Sequence, residues 1–450
     1  MTLQRMSRRR IWGWYCFDWA SQPYNTLLLT FIFAPYLKEV LGEGTAAQSA
    51  WGYGVGTAGL LIAILAPLLG SMADRCGPHM RLRFIWIFSG LYIIGASGLW
   101  WTMPGDPNLI MTLLFFGVGL IGMEFATIFT NAMMPDLAPR AAIGRISGAG
   151  WAFGYLGGLM ALVMVLALLA ENSATGKTLI GSDPILGLDA HAREGTRAVG
   201  PFTALWYAIF MIPFFAWVRE MPPRAGVRLG QAARQAWPDL RKALRTLPGR
   251  RSLTAFLAAS MLYRDALNGI YFFGGIYAAG VLGWSVVEVG VFGILAVISA
   301  ALFAWLGGLG DTRFGPKPII AVSILTLVGV TLAAIFVSRS TVFGIAVLPE
   351  SFAPDIAFFA IGAVIGGAGG ALQASSRCML VFQVDPSHIT QGFGLYALTG
   401  KATAFVAPFA VALATDISGS QQMGIAPLLA LFLFGLILLV WVKPYGETQI

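Results

Sequence analysis

Five apolar segments of the chain carry polar or ionisable side chains at the spacing of a helix. Because residues three, four and seven positions apart share one helix face, the side chains of a segment form a stripe. Carboxylates, amides and amines arranged in this way can bind a small polar solute or carry a proton. The five sets are Asp18, Gln22 and Asn25; Glu124, Thr127 and Asn131; Asp265 and Asn268; Gln373, Ser376 and Arg377; and Lys401.

An ionisable side chain at the centre of a bilayer costs about 2.5–3.5 kcal/mol on insertion scales, so each one is a candidate for function. Glu124 and Asp265 are the best candidates for carrying a proton or binding a substrate amine. The alternative is static pairing with Lys401 or Arg264. Lys401 in turn could bind a substrate carboxylate or phosphate, or serve as a structural counter-ion. For Asp18, structural hydrogen bonding is favoured over substrate contact.

The segments that hold these stripes are apolar runs long enough to cross a membrane. Of the 450 residues, 57% are hydrophobic and 11% are charged, against about a quarter charged in soluble proteins. A helix needs about 20 apolar residues to span a bilayer, whereas the strands of membrane barrels are shorter and alternate. The sequence therefore predicts an all-α polytopic membrane protein with twelve transmembrane helices. The runs are residues 12–37, 51–72, 82–101, 109–134, 146–170, 201–218, 253–281, 286–306, 318–337, 355–380, 393–415 and 424–442.

The distribution of basic residues predicts the orientation of the chain. With the N-terminus in the cytoplasm, 22 of the 29 Lys and Arg residues fall on the cytoplasmic side and 5 on the opposite side. Such a bias places both termini in the cytoplasm and the protein in the cell (inner) membrane. The net charge of +8 does not indicate nucleic-acid binding, because that would need a basic face on a folded soluble domain.

The longest polar stretch, residues 219–251, separates six apolar runs from the next six. We expect an N-terminal six-helix half at 1–218, a basic cytoplasmic linker at 219–252 and a C-terminal six-helix half at 253–450. Within the linker, residues 231–247 could form an amphipathic helix that lies on anionic lipid headgroups. A regulatory docking site is the alternative.

A short acidic turn occurs once in each half, at the cytoplasmic end of an even-numbered helix. A carboxylate at this place can bridge to a neighbouring helix end and release it when the bundle moves, so we expect these turns to act as gates. Parallel repeats of this kind build one large class of secondary transporters. We assign the gating role to Gly70, Asp74, Arg75 and Gly77, and to Asp311, Arg313 and Gly315. Arg377, near the cytoplasmic end of the run 355–380, is expected to be a gate or interface residue.

These turns resemble the characteristic turn of the major facilitator superfamily. The pattern is Gly70-x-x-x-Asp74-Arg75-x-Gly77, and the second copy has one extra residue before Gly315. More narrowly, segments in both halves resemble the branch that contains the autophagy-related vacuolar amino-acid effluxers and their bacterial relatives. Arg264 and Ala266 depart from that branch, where a small polar residue and a glycine are expected. The similar segments are residues 15–20, 147–158, 263–265, 369–377 and 392–401.

The resemblance implies two pseudo-symmetric six-helix halves that move a small solute by alternating access. Amino acids are the cargo expected by analogy, and the sequence leaves open whether protons drive the transport. An exporter of drugs or other amphiphiles is a rival, since the membrane runs are rich in aromatic residues. A membrane-embedded enzyme acting on lipids is a rival from another class, but no nucleophile–base pair or metal cluster is evident. We therefore expect no enzymatic activity, no cofactor or metal, and a monomer in the lipid bilayer.

Overall fold

The computed structural model describes residues 7–41, 44–105, 108–173, 175–218, 227–284, 286–348 and 350–447. Within these ranges the chain is almost entirely helical, and 10 helices are long and apolar enough to cross a membrane. The predicted all-helical membrane class is confirmed, while the number of twelve spans stays a prediction. Part of the predicted linker, residues 219–226, lies outside the described residues.

The first membrane segment of the chain is a helix that is interrupted by a π-helical stretch. The helices are α1 (Arg8–Pro23), α2 (Phe33–Leu41), α3 (Gly44–Cys76), α4 (Pro78–Gly98), α5 (Leu109–Ala132), α6 (Ile143–Leu168), α7 (Glu194–Arg197) and α8 (Val199–Trp217), with a π-helical segment at Tyr24–Phe31 between α1 and α2. The predicted continuous first helix, residues 12–37, is therefore wrong in detail. Pro23 supplies no backbone N–H, and the α-helical hydrogen-bond ladder gives way to the wider π pattern directly after it.

The second part of the chain is built in the same way. Its helices are α9 (Leu229–Thr246), α10 (Arg251–Val281), α11 (Val286–Phe314), α12 (Pro316–Ile335), α13 (Ala353–Gln383), α14 (Ile389–Ala402), α15 (Val406–Ser418), α16 (Gln421–Gly424) and α17 (Ala426–Leu439), and a small antiparallel hairpin pairs β1 (Thr341–Val342) with β2 (Ile345–Ala346). Helix α9 is the amphipathic helix expected within the linker: Ala232, Ala236 and Leu240 are buried, and Trp237 and Leu244 are exposed beside basic residues.

The chain divides into two compact units. The first unit comprises Met1–Leu137 and Phe153–Arg234, and the second comprises Ala138–Ala152 and Gln235–Ile450. Helix α6 therefore contributes its beginning to the second unit and the rest to the first. The predicted domain boundaries place all of α6 in the N-terminal half, and they stay a prediction.

Close packing holds the first unit together. Since lipid is as apolar as the side chains, membrane helices associate through van der Waals contact and small residues. At Gly122 of α5, an added Cβ would lie only 2.6 Å from the carbonyl oxygen of Phe88 in α4. Tyr92 and Tyr207 stack with ring centroids 3.9 Å apart, which ties α4 to α8.

The second unit uses the same principle between α11 and α13. At Gly370 an added Cβ would lie 2.9 Å from the Cα of Ala300, and Gly366 meets the backbone of Ala296 in the same way. Helices α12 and α17 also pack on each other, and α10 packs on α17. The glycines that recur at helical spacing in α13 therefore serve close helix contact.

Candidate functional site

The polar stripe of the first helix keeps its shared face across the change of helix type. Asp18, Gln22 and Asn25 are all half-buried, although Asn25 lies in the π segment. Gly154 and Gly158 of α6 pack against this face, since an added Cβ at Gly154 would lie 3.3 Å from the Cβ of Asp18. The stripe is thus placed beside the second half of α6.

The stripe of α5 is also present. Glu124, Thr127 and Asn131 are half-buried, whereas Phe125 and Ile128 between them are buried. The Thr127 hydroxyl donates to the carbonyl of Met123 at 2.8 Å, so it is satisfied within its own helix. Glu124 and Asn131 are the other two polar members of this face.

Two hydrogen bonds fix the register of the first helix against α5. The Trp14 indole Nε1 donates to the carbonyl of Thr130 at 2.8 Å, and the Tyr24 hydroxyl donates to the carbonyl of Phe116 at 2.7 Å. The two segments therefore run in opposite directions. Asp18 and Glu124 lie between these anchors at a similar height, so both carboxylates belong to one level of the first unit.

In the second unit, Asp265 caps a broken helix. Its Oδ2 accepts the backbone N–H of Ala407 at 3.0 Å, in the first turn of α15. The side chain is buried, the residue being 4% exposed, and Oδ1 has no hydrogen-bond partner among the described residues. The suggested static pairing of Asp265 with Lys401 or Arg264 is not what the structure shows, because the carboxylate binds a helix N-terminus instead.

The predicted continuous run at residues 393–415 is therefore interrupted, at the turn of residues 403–405 between α14 and α15. Pro408 gives the physical reason. It has no N–H to donate to the carbonyl of Ala404, and its ring would clash with that carbonyl in a continuous helix. Proline inside the run was the sequence signal for this break.

Arg264 was missed by sequence reasoning as a site residue. Its guanidinium lies 4.0 Å from the ring centroid of Tyr396, and Nη1 donates to the Tyr396 carbonyl at 3.0 Å. Gly400 leaves the space for it, since an added Cβ there would lie 2.7 Å from the guanidinium. The sequence signals were a charge inside an apolar run and the departure of position 264 from the pattern of similar proteins.

The other predicted residues of the second unit are spread around this region. Lys401 is half-buried in the last turn of α14, where a cation is favoured by the helix dipole. Gln373 of α13 is half-buried and hydrogen-bonds the Tyr271 hydroxyl. Asn268 is exposed, whereas Asp265 is buried.

The two acidic turns have the same backbone. Gly77 has φ 96° and ψ 173°, Gly315 has φ 81° and ψ 162°, and each is followed by a proline that begins the next helix. Only glycine adopts this conformation without strain. The repeated glycine–proline pair is therefore explained by the backbone.

Arg81 joins two carboxylates at the first turn. Its guanidinium lies 3.2 Å from Asp74 and 3.2 Å from Asp136, and it also donates to the carbonyl of Ala132. The bridge ties the end of α3 to the end of α5. Gly70 is buried in α3 and Arg75 is exposed. Arg81 was not among the predicted gating residues, although it lies near the turn in sequence.

At the second turn, Asp311 is buried and accepts a hydrogen bond from the Ser375 hydroxyl at 2.7 Å. Gly144, at the start of α6, packs directly on the Asp311 side chain. Arg313 is exposed beside Phe314. Asp311 therefore contacts α13 and the start of α6 rather than its neighbour in sequence.

Arg377 fastens the start of α6 to α13. It donates from Nε to the Ser147 hydroxyl at 3.0 Å and from Nη2 to the Ser147 carbonyl at 2.7 Å. The Ser147 hydroxyl donates in turn to the carbonyl of Ala374 at 2.7 Å. Arg377 therefore joins α13 to the start of α6, and its role as a gate or interface residue stays a prediction.

The described parts of the chain contain no group of three or more His, Cys, Asp or Glu side chains placed to bind a metal ion. The candidate functional groups described above are carboxylates, amides and cations in membrane helices. Such groups bind polar solutes or exchange protons.

Known proteins are similar to this chain over most of its length. Residues 38–445 match the protein family described as "Vacuole effluxer Atg22 like". The uncharacterized MFS-type transporter YxiO of Bacillus subtilis is 23% identical over 97% of this chain and 96% of its own length. Autophagy-related protein 22-2 of Emericella nidulans is 28% identical over 62% of this chain, which spans 48% of that protein. The chain thus spans about half the length of this fungal relative.

Solved structures share the fold. The human organic anion transporter MFSD10 superposes with a TM-score of 0.71 at 15% identity, covering 97% of this chain and 100% of that chain. FucP, a major facilitator superfamily transporter in the outward conformation, gives 0.69 at 13% identity, covering 98% and 99%. At these identities the likeness concerns the fold alone.

Proposed function

The chain belongs to the family described as vacuole effluxer Atg22 like, and we propose that this major facilitator transporter carries amino acids, by alternating access and coupled to protons. It is a multi-pass membrane protein of a transporter family rather than an enzyme. The observation that carries the proposal is that two polar stripes lie on half-buried helix faces of the first unit, while Gln373 and Lys401 of the second unit are half-buried as well.

In the first unit, Asp18 and Glu124 lie at one level, with Gln22, Asn25 and Asn131 on the same faces. Carboxylates there suit the ammonium group of an amino acid, and the amides can hydrogen-bond either end of it. In the second unit, Gln373 and Lys401 are half-buried polar groups, and Asn268 is exposed. We assign these residues to the path of the solute.

Asp265 is the group we assign to proton coupling. A buried carboxylate with one oxygen that lacks a hydrogen-bond partner pays a large desolvation penalty while it is ionised. Protonation removes the charge and weakens the hold on the Ala407 N–H. Taking up a proton would thus loosen the start of α15 from α10.

The acidic turns are assigned to gating. The Asp74–Arg81–Asp136 bridge holds α3 and α5 together, and Asp311 holds α13 and the start of α6. These contacts consist of a few ion pairs and hydrogen bonds that must part when the helices they join separate. Each turn would therefore stabilise one conformation of the transport cycle.

We place the protein in the cell (inner) membrane as a monomer with both termini in the cytoplasm. The excess of basic residues on one side of the membrane supports the orientation of the termini. We retain the halves 1–218 and 253–450 as the units of transport, with 219–252 as the linker.

Counterflow in proteoliposomes tests the proposal. Purified protein would exchange a pool of labelled amino acids with and without an imposed pH gradient, beside Asp265→Asn and Lys401→Gln proteins. Asp183→Asn is a matched control, because Asp183 is an exposed loop residue paired with Lys177. We expect accumulation driven by the gradient in the parent and control, and its loss in Asp265→Asn.

Absence of exchange with every amino acid, from protein shown to be folded, would refute the amino-acid proposal. Exchange of an amphiphilic dye in the same vesicles would then favour the drug exporter. Exchange without any accumulation driven by the pH gradient would refute proton coupling alone.

A further inference from the structure

Arg264 presents a cation that is held firmly in the second unit. The guanidinium is stacked on the Tyr396 ring at 4.0 Å, and Nη1 is hydrogen-bonded to the Tyr396 carbonyl at 3.0 Å. The guanidinium packs against the bare backbone of Gly400, where an added Cβ would lie 2.7 Å from it. Stacking and the hydrogen bond together fix the position and the plane of the group.

No carboxylate neutralises this cation among the described residues. The neighbouring Asp265 lies on another face of α10 and caps α15 instead. The carboxyl end of α14 supplies a partial negative charge of about half a unit, which is less than the full charge of the guanidinium. A net positive charge therefore remains at a site within an apolar run, where an uncompensated charge is costly.

The guanidinium also has hydrogen-bond donors to spare. Nε and Nη2 make no hydrogen bond within the described ranges, and Arg264 is half-buried rather than enclosed. The Nε–Nη2 edge presents two parallel N–H groups, the arrangement that a planar carboxylate accepts in a bidentate pair.

The residues at the helix break are exposed. Ala402, Ala404 and Phe405 are exposed at the turn that follows α14, close in sequence to Gly400. Interrupted backbone at membrane depth is tolerated where it lines a cavity or is buried in protein. The exposed turn is therefore consistent with a solute-accessible space beside the guanidinium.

We propose that Arg264 binds the carboxylate of the transported solute through its Nε–Nη2 edge, with Tyr396 and Gly400 as positioning residues. The inference rests on the proposed transport function and narrows it, since the solute must carry a carboxylate. Amines and amides that lack this group are poor substrates.

The test compares a pool of the proteinogenic L-amino acids with a pool of their α-amides in counterflow. Arg264→Gln removes the guanidinium, and we expect the preference for acids over amides to fall by about tenfold or more. Gly400→Ala keeps the charge but displaces it, because the added Cβ would occupy space 2.7 Å from the guanidinium. It should reproduce the effect of Arg264→Gln.

Two further variants separate positioning from damage to the fold. Tyr396→Phe keeps the ring and the backbone carbonyl that Arg264 uses, so it should retain the preference, whereas Tyr396→Ala should lower it. Arg241→Gln, on the exposed face of α9, is the control for loss of an arginine.

Parent protein that exchanges acids and amides equally, or folded Arg264→Gln that still prefers acids, would overturn the assignment. If the parent protein exchanges no amino acid, the transport proposal is contradicted. Binding at Arg264 is then measured as the increase in unfolding temperature that a ligand causes. Protection by butyrate but not butyramide, lost in Arg264→Gln, supports the carboxylate site, and equal or no protection overturns it.

Discussion

Asp265 and Ala407 are 142 positions apart in the sequence, and one hydrogen bond of 3.0 Å between them caps the helix that follows a break. The carboxylate replaces the backbone acceptor that the interrupted helix does not provide. Two variants at position 265 therefore have different consequences.

Asp265→Asn should keep the cap, because the amide oxygen still accepts the Ala407 N–H. Asp265→Ala should destabilise the protein by about 1–3 kcal/mol, since the buried N–H then has no partner. Thermal unfolding in detergent measures both. Equal stability of Asp265→Ala and the parent would show that the cap contributes nothing.

Pro408→Ala should allow α14 and α15 to join. The substitution restores an N–H and removes the ring clash, so we expect equal or higher thermal stability. Because the break would close, we also expect slower exchange in counterflow. Faster exchange would contradict a role for the break. Pro104→Ala, at an exposed loop residue, controls for the loss of a proline elsewhere.

Arg81→Gln should be among the most damaging changes in the first unit. It leaves Asp74 and Asp136 without their shared cation, and the Asp74 side chain is 4% exposed. Breaking a buried pair in this way costs about 3–5 kcal/mol. The double variant Arg81→Gln/Asp74→Asn should regain part of the lost free energy of unfolding, measured with denaturant. A double variant no more stable than Arg81→Gln would show that the ion pair is not the cause.

Gly148→Leu should separate the start of α6 from α11. An added Cβ would lie 2.6 Å from the Cα of Gly308, whereas at Gly290, in the same α11, it would meet nothing within 4 Å. Cys378 is fully buried and reports the change. With Cys16 and Cys76 replaced by serine, its maleimide labelling should rise several-fold in Gly148→Leu and not in Gly290→Leu.

Gly77→Ala and Gly315→Ala should each destabilise by about 1–3 kcal/mol, because both glycines hold a conformation that other residues adopt only with strain. Gly90→Ala and Gly329→Ala are the matched controls in the helices that follow, where an added Cβ meets nothing within 4 Å. These should be neutral or stabilise by up to about 1 kcal/mol. Equal effects at all four positions would refute the backbone argument.

The helices could be predicted from sequence because membrane length and apolar composition are local properties. The polar stripes of α5 and the first helix could be predicted for the same reason, as Glu124 and Asn131 show. The break after Ala402 could have been predicted from Pro408. What replaces the lost backbone bond could not, because Asp265 is distant in sequence and its partner is a main-chain N–H.

The partners of charged residues were harder to predict. Arg81 lies close to the turn in sequence, yet its bridge to Asp136 depends on how α5 ends against α3. Arg377 meets Ser147, 230 positions away. Pairing is decided by packing between distant segments, and one sequence gives only the candidates.

A mutation of Gly400 would affect the position of Arg264 more than the folding of the protein. The guanidinium is the far end of a flexible chain, so a methyl group at position 400 would push it aside with little harm to folding. In descendant proteins whose solute does not need this cation, the glycine could therefore be replaced by other residues. Selection that keeps glycine at position 400 would therefore reflect the binding of the transported solute rather than the stability of the fold.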